Sequence, residues 1–209
     1  MRRGKRAMDI GLAVLLLLVL WPLFLVIAVL IKLSDGGDIF YIAERMRAVE
    51  RPFMLWKFRT MRAAQGDAGV SGGDKAVRIT AVGRFLRRRR LDELPQLLNI
   101  LRGDISFVGP RPPLRRYVEL YPELYGEVLK TRPGVTGLAT LAFHRREEVL
   151  LSGCESAEET EAVYMRRCVP VKARLDLIYA REQGLCYDLQ LMVATVFKRM
   201  PLRARRGRF

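Results

Sequence analysis

The chain opens on its longest apolar block. From Ile10 to Ile31 no position is charged; residues 14–20 read VLLLLVL and 23–31 read LFLVIAVLI. As a helix this block extends roughly 33 Å, enough to cross the hydrocarbon core of a bilayer. A core helix would carry a polar stripe, and this one is apolar on every face. A secretory leader would be shorter and end in a small-residue cleavage site; Lys32-Leu33-Ser34-Asp35 follows instead. Trp21-Pro22 stands at the midpoint. Proline removes one helical hydrogen bond and clashes with the preceding turn, so a kink or break is expected there. Arg2, Arg3, Lys5 and Arg6 against Asp9 make the first flank positive, and the rest of the chain is positive too. Positive flanks favour the cytoplasmic side. A straight span violates that preference on one side. A helix that dips in, bends at Pro22 and returns violates it on neither, so the pattern predicts a re-entrant anchor over residues 1–33.

Past the anchor the apolar runs shorten. DIFY at 38–41 and FMLWKF at 53–58 are aromatic and branched, and read as strands. Residues 63–77 (AAQGDAGVSGGDKAV) read as a loop. Helices are expected at 81–90, 94–102, 113–129, 156–167, 172–183 and 186–199. In the last of these Leu189, Met192, Val193 and Val196 form one apolar stripe. The tail 202–209 (LRARRGRF) is basic, and is expected either to lie on anionic lipid or to be solvated.

Composition narrows the function. Half of the 209 residues are apolar, which excludes a disordered chain. Lys and Arg total 37 against 22 Asp and Glu, a net charge of +15. The partner is therefore acidic: nucleic acid, anionic lipid or a phosphorylated small molecule. Cys154, Cys168 and Cys186 are an odd number without metal-ligand spacing, so neither a disulfide framework nor a structural zinc site is expected. A single histidine, His144, excludes multi-histidine metal chemistry.

The informative stretch is 78–113, RITAVGRFLRRRRLDELPQLLNILRGDISFVGPRPP. Arg84 and Arg87 to Arg90 crowd ahead of Asp92-Glu93, and Pro95 follows. Proline suits a first helical turn, so the two carboxylates are expected at a helix N-terminus, where partial positive charge and the arginines keep them ionised. Simple N-capping by Asp92 is the plain alternative. Gly109-Pro110-Arg111-Pro112-Pro113 is a rigid turn that presents one guanidinium, a fork suited to phosphate oxygens. Lys57 and Arg59, in KFRTM at 57–61, add two cations.

These pieces, in this order, resemble the monotopic phosphoglycosyl transferases, also called bacterial sugar transferases. The match comprises the basic N-terminus with Asp9, the apolar helix with Pro22, KFRTM at 57–61, RITAVGRFLR at 78–87, LDELPQLLNIL at 91–101, GDISFVGPRP at 103–112 and RPGVTG at 132–137. Asp176, Tyr179 and Asp188-Leu189 echo the C-terminal pattern. The resemblance implies transfer of a sugar 1-phosphate from a UDP-sugar to a polyprenyl (undecaprenyl) phosphate, with Mg²⁺. This would occur on the cytoplasmic face of the bacterial inner membrane, as the first membrane step of a glycan pathway. It implies Asp92 as nucleophile and metal ligand, with Glu93 positioning metal or acceptor. It further implies Lys57, Arg59, Arg78, Arg87 and Arg111 as phosphate and nucleotide binders, and Pro22 as the membrane kink. The implied fold is α+β and mostly helical: the re-entrant helix, then a small cytosolic catalytic domain over 34–201 with short strands and surface amphipathic helices.

Some positions depart from the family. Its Gln-x-Arg-x-Gly element reads Ala43-Glu44-Arg45-Met46-Arg47, its Trp-Ala-Gln reads Leu138-Ala139-Thr140, and the serine before the kink proline is Trp21. Residues 144–171 have only loose parallels. The competing reading is a membrane-anchored basic module that binds anionic lipid or nucleic acid without catalysis. It leaves the Asp-Glu pair, GPRP and KFRTM without purpose, and no nucleic-acid motif is present.

Overall fold

The computed structural model describes residues 3–62 and 78–197. The expected loop at 63–77, the end of the last expected helix and the basic tail lie outside them. The described residues are mostly helical with a few short strands. Helix α1 spans Arg3–Asp35. A hairpin follows, β1 Phe40–Ala48 and β2 Arg51–Phe58, antiparallel, pairing Tyr41 with Lys57 and irregular between Met46 and Ala48. Helix α2 (Ala81–Arg89), a 3₁₀ turn (Leu91–Glu93) and helix α3 (Gln96–Arg102) come next. Strands β3 (Ser106–Val108) and β4 (Gly134–Thr136) pair in parallel and enclose α4 (Arg115–Leu120) and α5 (Pro122–Val128). Helices α6 (Leu138–Ser152) and α7 (Ala157–Val163), a π-turn (Tyr164–Cys168), α8 (Val169–Glu182) and α9 (Leu185–Val196) complete the described chain.

Helix α1 is two-faced in its packing although not in its sequence. Lys5, Asp9, Ala13, Ile27 and Ile31 are buried along one side. Ala13 joins a core with Leu55, Leu97 and Ile100; Ile27 and Ile31 join another with Phe58 and Leu86. Fully burying one such isoleucine contributes about 1.5–3 kcal/mol. On the opposite side Leu15, Leu18, Val19, Trp21, Leu25, Val26 and Val29 are exposed. By length and composition alone, α1 is long and apolar enough to cross a membrane.

Of the kink or break expected at Pro22, the break does not occur: the helix runs on unbroken to Asp35. Leu23 and Phe24, the next two residues, pack against the buried Phe58 cluster, which holds the turn that proline weakens. The expected single helix over 113–129 is two. Tyr121, preceding Pro122, takes φ −132° and ends α4.

The first turn of α1 is not the solvated flank that its charges suggest. Lys5 Nζ donates to Asp188 Oδ2 at 2.6 Å and to the carbonyl of Val108 at 3.1 Å. The Tyr179 hydroxyl donates to Asp188 Oδ1 at 2.7 Å. Asp9 Oδ1 accepts from the Ser106 hydroxyl and the Phe107 amide, and Arg6 donates to the carbonyls of Ile100 and Leu101. Both ends of the apolar helix are thereby held by the same domain.

Candidate active site

The site is a corner where β2, the 3₁₀ turn and the Gly109–Pro113 turn meet. Thr80 caps α2 by accepting from the Gly83 amide at 2.9 Å. A side chain at Gly83 would strike the backbone of Thr60, so glycine lets α2 lie directly on the end of β2. That contact brings Arg87 Nε to the Thr60 hydroxyl at 2.8 Å. Arg90 then turns the chain in the left-handed region, at φ 56°. Asp92 and Glu93 follow inside the 3₁₀ turn. Pro95, not Asp92, occupies the cap of α3, and no side chain caps that helix. The plain capping alternative for Asp92 therefore fails, and the pair sits one turn ahead of the helix.

Asn99 fixes α3 to the strand that carries Lys57. Its Oδ1 accepts from the Trp56 amide at 3.0 Å, and its Nδ2 donates to the Met54 carbonyl at 2.8 Å. Lys57 Nζ thus reaches Glu93 Oε1 at 2.9 Å. Arg111 Nη2 approaches the same oxygen at 3.5 Å. Its turn is set by the parallel strand pair: the Gly109 amide donates to Thr136 O at 2.9 Å and the Gly134 amide to Pro110 O at 2.8 Å. A Cβ on Gly109 or Gly134 would overlap the facing backbone, so two glycines from separate motifs permit this close pairing.

The two carboxyls are driven apart electrostatically. Burial opposes ionisation of Glu93, but the Arg111 and Lys57 cations together hold it at about 2. Burial pushes Asp92 up, against the pull of Lys57 and Arg87 and with the help of the neighbouring Glu93 charge. Glu93 is a fixed anion between two cations. Asp92 is the carboxyl without that clamp, half-buried beside Lys57 and Arg87.

The structure therefore gathers Asp92, Glu93, Lys57, Arg87 and Arg111. For the other two expected cations, the Arg59 guanidinium lies close to Gly37, and Arg78 Nη2 donates to the Arg62 carbonyl at 3.1 Å. Arg90 was absent from the expected set. It adds to the field that keeps Glu93 ionised, and its left-handed backbone aims the turn. Only the crowding of arginines marked it in sequence. Among the described residues no three His, Cys, Asp or Glu cluster as a metal site. Adjacent carboxylates still suit Mg²⁺, which commonly takes one or two carboxylates and completes its shell with phosphate oxygens and water. The three cysteines are free, and His144 is exposed beside Glu148.

Comparison with known proteins places this corner in context. A family model described as bacterial sugar transferase matches residues 1–201. The UDP-glucose:undecaprenyl-phosphate glucose-1-phosphate transferase of Escherichia coli K12 is 38% identical over 198 residues, covering 93% of this chain and 39% of that protein. The exopolysaccharide production protein ExoY of Sinorhizobium fredii is 42% identical over 152 residues, covering 65% of this chain and 67% of that protein. The UDP-N-acetylgalactosamine-undecaprenyl-phosphate N-acetylgalactosaminephosphotransferase of Aeromonas hydrophila is 32% identical over 198 residues, covering 92% and 42%. The chain thus spans about two fifths of the length of the longer relatives. With the family model matched over nearly the whole sequence, the chain belongs to the bacterial sugar transferase family.

Proposed function

We propose that this protein transfers a sugar 1-phosphate from a UDP-sugar to undecaprenyl phosphate, through a covalent intermediate on Asp92. One observation carries the reading: Glu93 is neutralised by Lys57 and Arg111 while its neighbour Asp92 is left without that clamp. A free carboxylate oxygen beside cations is suited to attack phosphorus. Asp92 forms a bond to the β-phosphorus of the donor. The bond from that phosphorus to the bridging oxygen breaks, and UMP leaves with the electron pair. An oxygen of the polyprenyl phosphate then attacks the same phosphorus. Asp92 is released as carboxylate, and the lipid carries the sugar on a diphosphate. Arg87 and Arg111 hold phosphate oxygens, and Lys57 steadies Glu93 and the approaching diphosphate. Arg59 and Arg78 serve the nucleotide end from further out. Mg²⁺ would be held by Asp92 with Glu93 beside it, and would neutralise charge on the diphosphate.

Residues 1–33 act as the anchor in this reading, and 34–201 as the catalytic domain. The helix enters the lipid and does not deliver an end to the far side. In support, Lys5 and Asp9 at one end and Ile27 and Ile31 at the other are buried on the same domain. The lipid-facing surface continues onto α9, where Leu185, Leu189, Val193 and Val196 are exposed at helical spacing. The net charge of +15 then favours the cytoplasmic face of the inner membrane.

UMP release from a panel of UDP-sugars tests the reaction, with detergent-extracted protein, Mg²⁺ and undecaprenyl phosphate. Release from one donor, lost in Asp92→Asn, is expected. Unchanged release in that variant would remove Asp92 as the nucleophile.

A further inference from the structure

Behind Arg111 lies a cavity of about 210 Å³ that the reaction described above does not use. Arg111 is a shared wall: one edge of its guanidinium approaches Glu93 Oε1, and the side chain also lines the cavity. Arg45 enters from β1. The far walls come from the poorly matched 144–171 stretch and the helix after it: Glu147 on α6, Tyr164 in the π-turn, and Lys172 and Asp176 on α8.

These groups are connected. Lys172 Nζ donates to both carboxylate oxygens of Glu147, at 2.9 and 3.1 Å, and to the Tyr164 hydroxyl at 3.3 Å. Asp176 is 7% exposed, and its Oδ1 finds no hydrogen-bond partner among the described residues. An orphaned buried carboxyl oxygen on a cavity wall is costly unless something enters and pairs with it. Burial raises Asp176 to about 7, which leaves the group able either to donate or to accept near neutrality.

The lining narrows the occupant. The cavity is lined by both donors (Arg45, Arg111, Lys172) and acceptors (Glu147, Asp176), and the tyrosine rings of Tyr117 and Tyr125 supply flat apolar surface. Hydroxyl groups that both donate and accept, on a ring with apolar C–H edges, match such a lining. An isoprenoid chain needs apolar walls and would strand the charged groups. A phosphate could pair with Arg45 and Arg111 but would also face the Glu147 and Asp176 carboxyls, with Lys172 already engaged by Glu147. We propose that this cavity takes the hexosyl ring of the nucleotide-linked donor, with Glu147, Lys172 and Asp176 reading its hydroxyls and Arg111 standing at the junction between ring and diphosphate. The proposal rests on the transferase reading and deepens it, assigning sugar choice largely to Glu147, Tyr164 and Lys172, which lie outside the matched motifs. The chemistry at Asp92 is then the same for every donor, while α6 and the π-turn select among donors.

The test uses the full chain in detergent with undecaprenyl phosphate and Mg²⁺, and measures UMP release from UDP-glucose, UDP-galactose and their N-acetylamino counterparts. Glu147→Gln and Tyr164→Phe are compared with the parent; the second is nearly isosteric and keeps the test valid if the first fails to fold. The ratio of kcat/KM between the preferred sugar and its epimer should shift by about tenfold or more. Inhibition by UMP should be unchanged, because UMP lacks the sugar. An active parent whose ratio is unmoved in both variants overturns the pocket assignment alone. Weaker UMP inhibition with an unmoved ratio overturns it in favour of the nucleoside. A parent that releases UMP from no donor overturns the transferase reading, and this inference with it.

Discussion

The corner at Asp92 and the cavity behind Arg111 are both polar, both partly buried and both built around a lysine–glutamate pair, yet they are made differently. At the corner, Lys57 and Glu93 are 36 residues apart and joined at 2.9 Å, and a second cation completes the field. In the cavity, Lys172 engages Glu147 and Tyr164, while Asp176 nearby is left with an unpaired oxygen. The first arrangement fixes one charge so that its neighbour stays free. The second leaves its capacity for hydrogen bonding open. A site for a single chemical step and a site for choosing among similar molecules have these opposite needs.

The contrast is broken most severely at the corner. Asp92→Asn should lower UMP release by about a thousandfold or more and abolish the phosphosugar adduct seen by intact-protein mass spectrometry. An adduct that persists would place the nucleophile elsewhere. Arg111→Ala touches both regions and should cost about a hundredfold in turnover. With its side chain 46% exposed, it should leave the melting temperature nearly unchanged. Turnover equal to the parent would refute its phosphate role.

Acid and base should then act on the two regions with opposite sign. Glu93 is depressed from 4.5 to about 2, so its stabilisation is present above 4.5 and is lost as pH falls through about 2. The parent's melting-temperature lead over Glu93→Gln should shrink across that window. Asp176 is raised from 3.8 to about 7, so the folded protein loses stability as pH climbs between those values. Asp176→Asn should gain on the parent across the same range. A lead that is flat with pH would show that burial does not control Asp176. The smallest effect belongs to His144→Ala, at a side chain 51% exposed. Stability there should move by less than about 0.5 kcal/mol and activity not at all; a marked loss of turnover would give the histidine a role in the site.

Contiguous motifs made the corner readable. Asp92 and Glu93 are adjacent, Lys57 ends a clear strand, and Arg111 sits between prolines, so each was visible before its neighbours in space were known. Arg59 and Arg78 read the same way from sequence, and only packing directs them to Gly37 and to the Arg62 carbonyl. Strands β3 and β4 are three residues each, too short for alternation to show. Helix α6 was missed because its sequence, LATLAFHRREEVLLS, buries only Leu138, Ala139 and Phe143 near its start and presents no continuous stripe. The cavity was illegible for the same reason, since its lining is drawn from α6, the π-turn and α8. The expected apolar stripe of α9 is split by packing: Leu189, Val193 and Val196 are exposed, Met192 packs against the Val108–Tyr179 core, and Asp188, Leu191 and Ala194 face in.

The clamp on the first turn of α1 has a consequence for how the protein is made. Lys5 precedes its partners Tyr179 and Asp188 in the chain by 174 and 183 residues. Closure of that turn therefore waits until the long stretch between the partners is in place. The same lysine also grips the carbonyl of Val108, just before the Arg111 turn. A chain without α1 would leave Asp188 buried without its cation and with only the Tyr179 hydroxyl, a defect of about 3–5 kcal/mol. Removing α1 to gain solubility would thus also free the Val108 carbonyl that precedes the Arg111 turn.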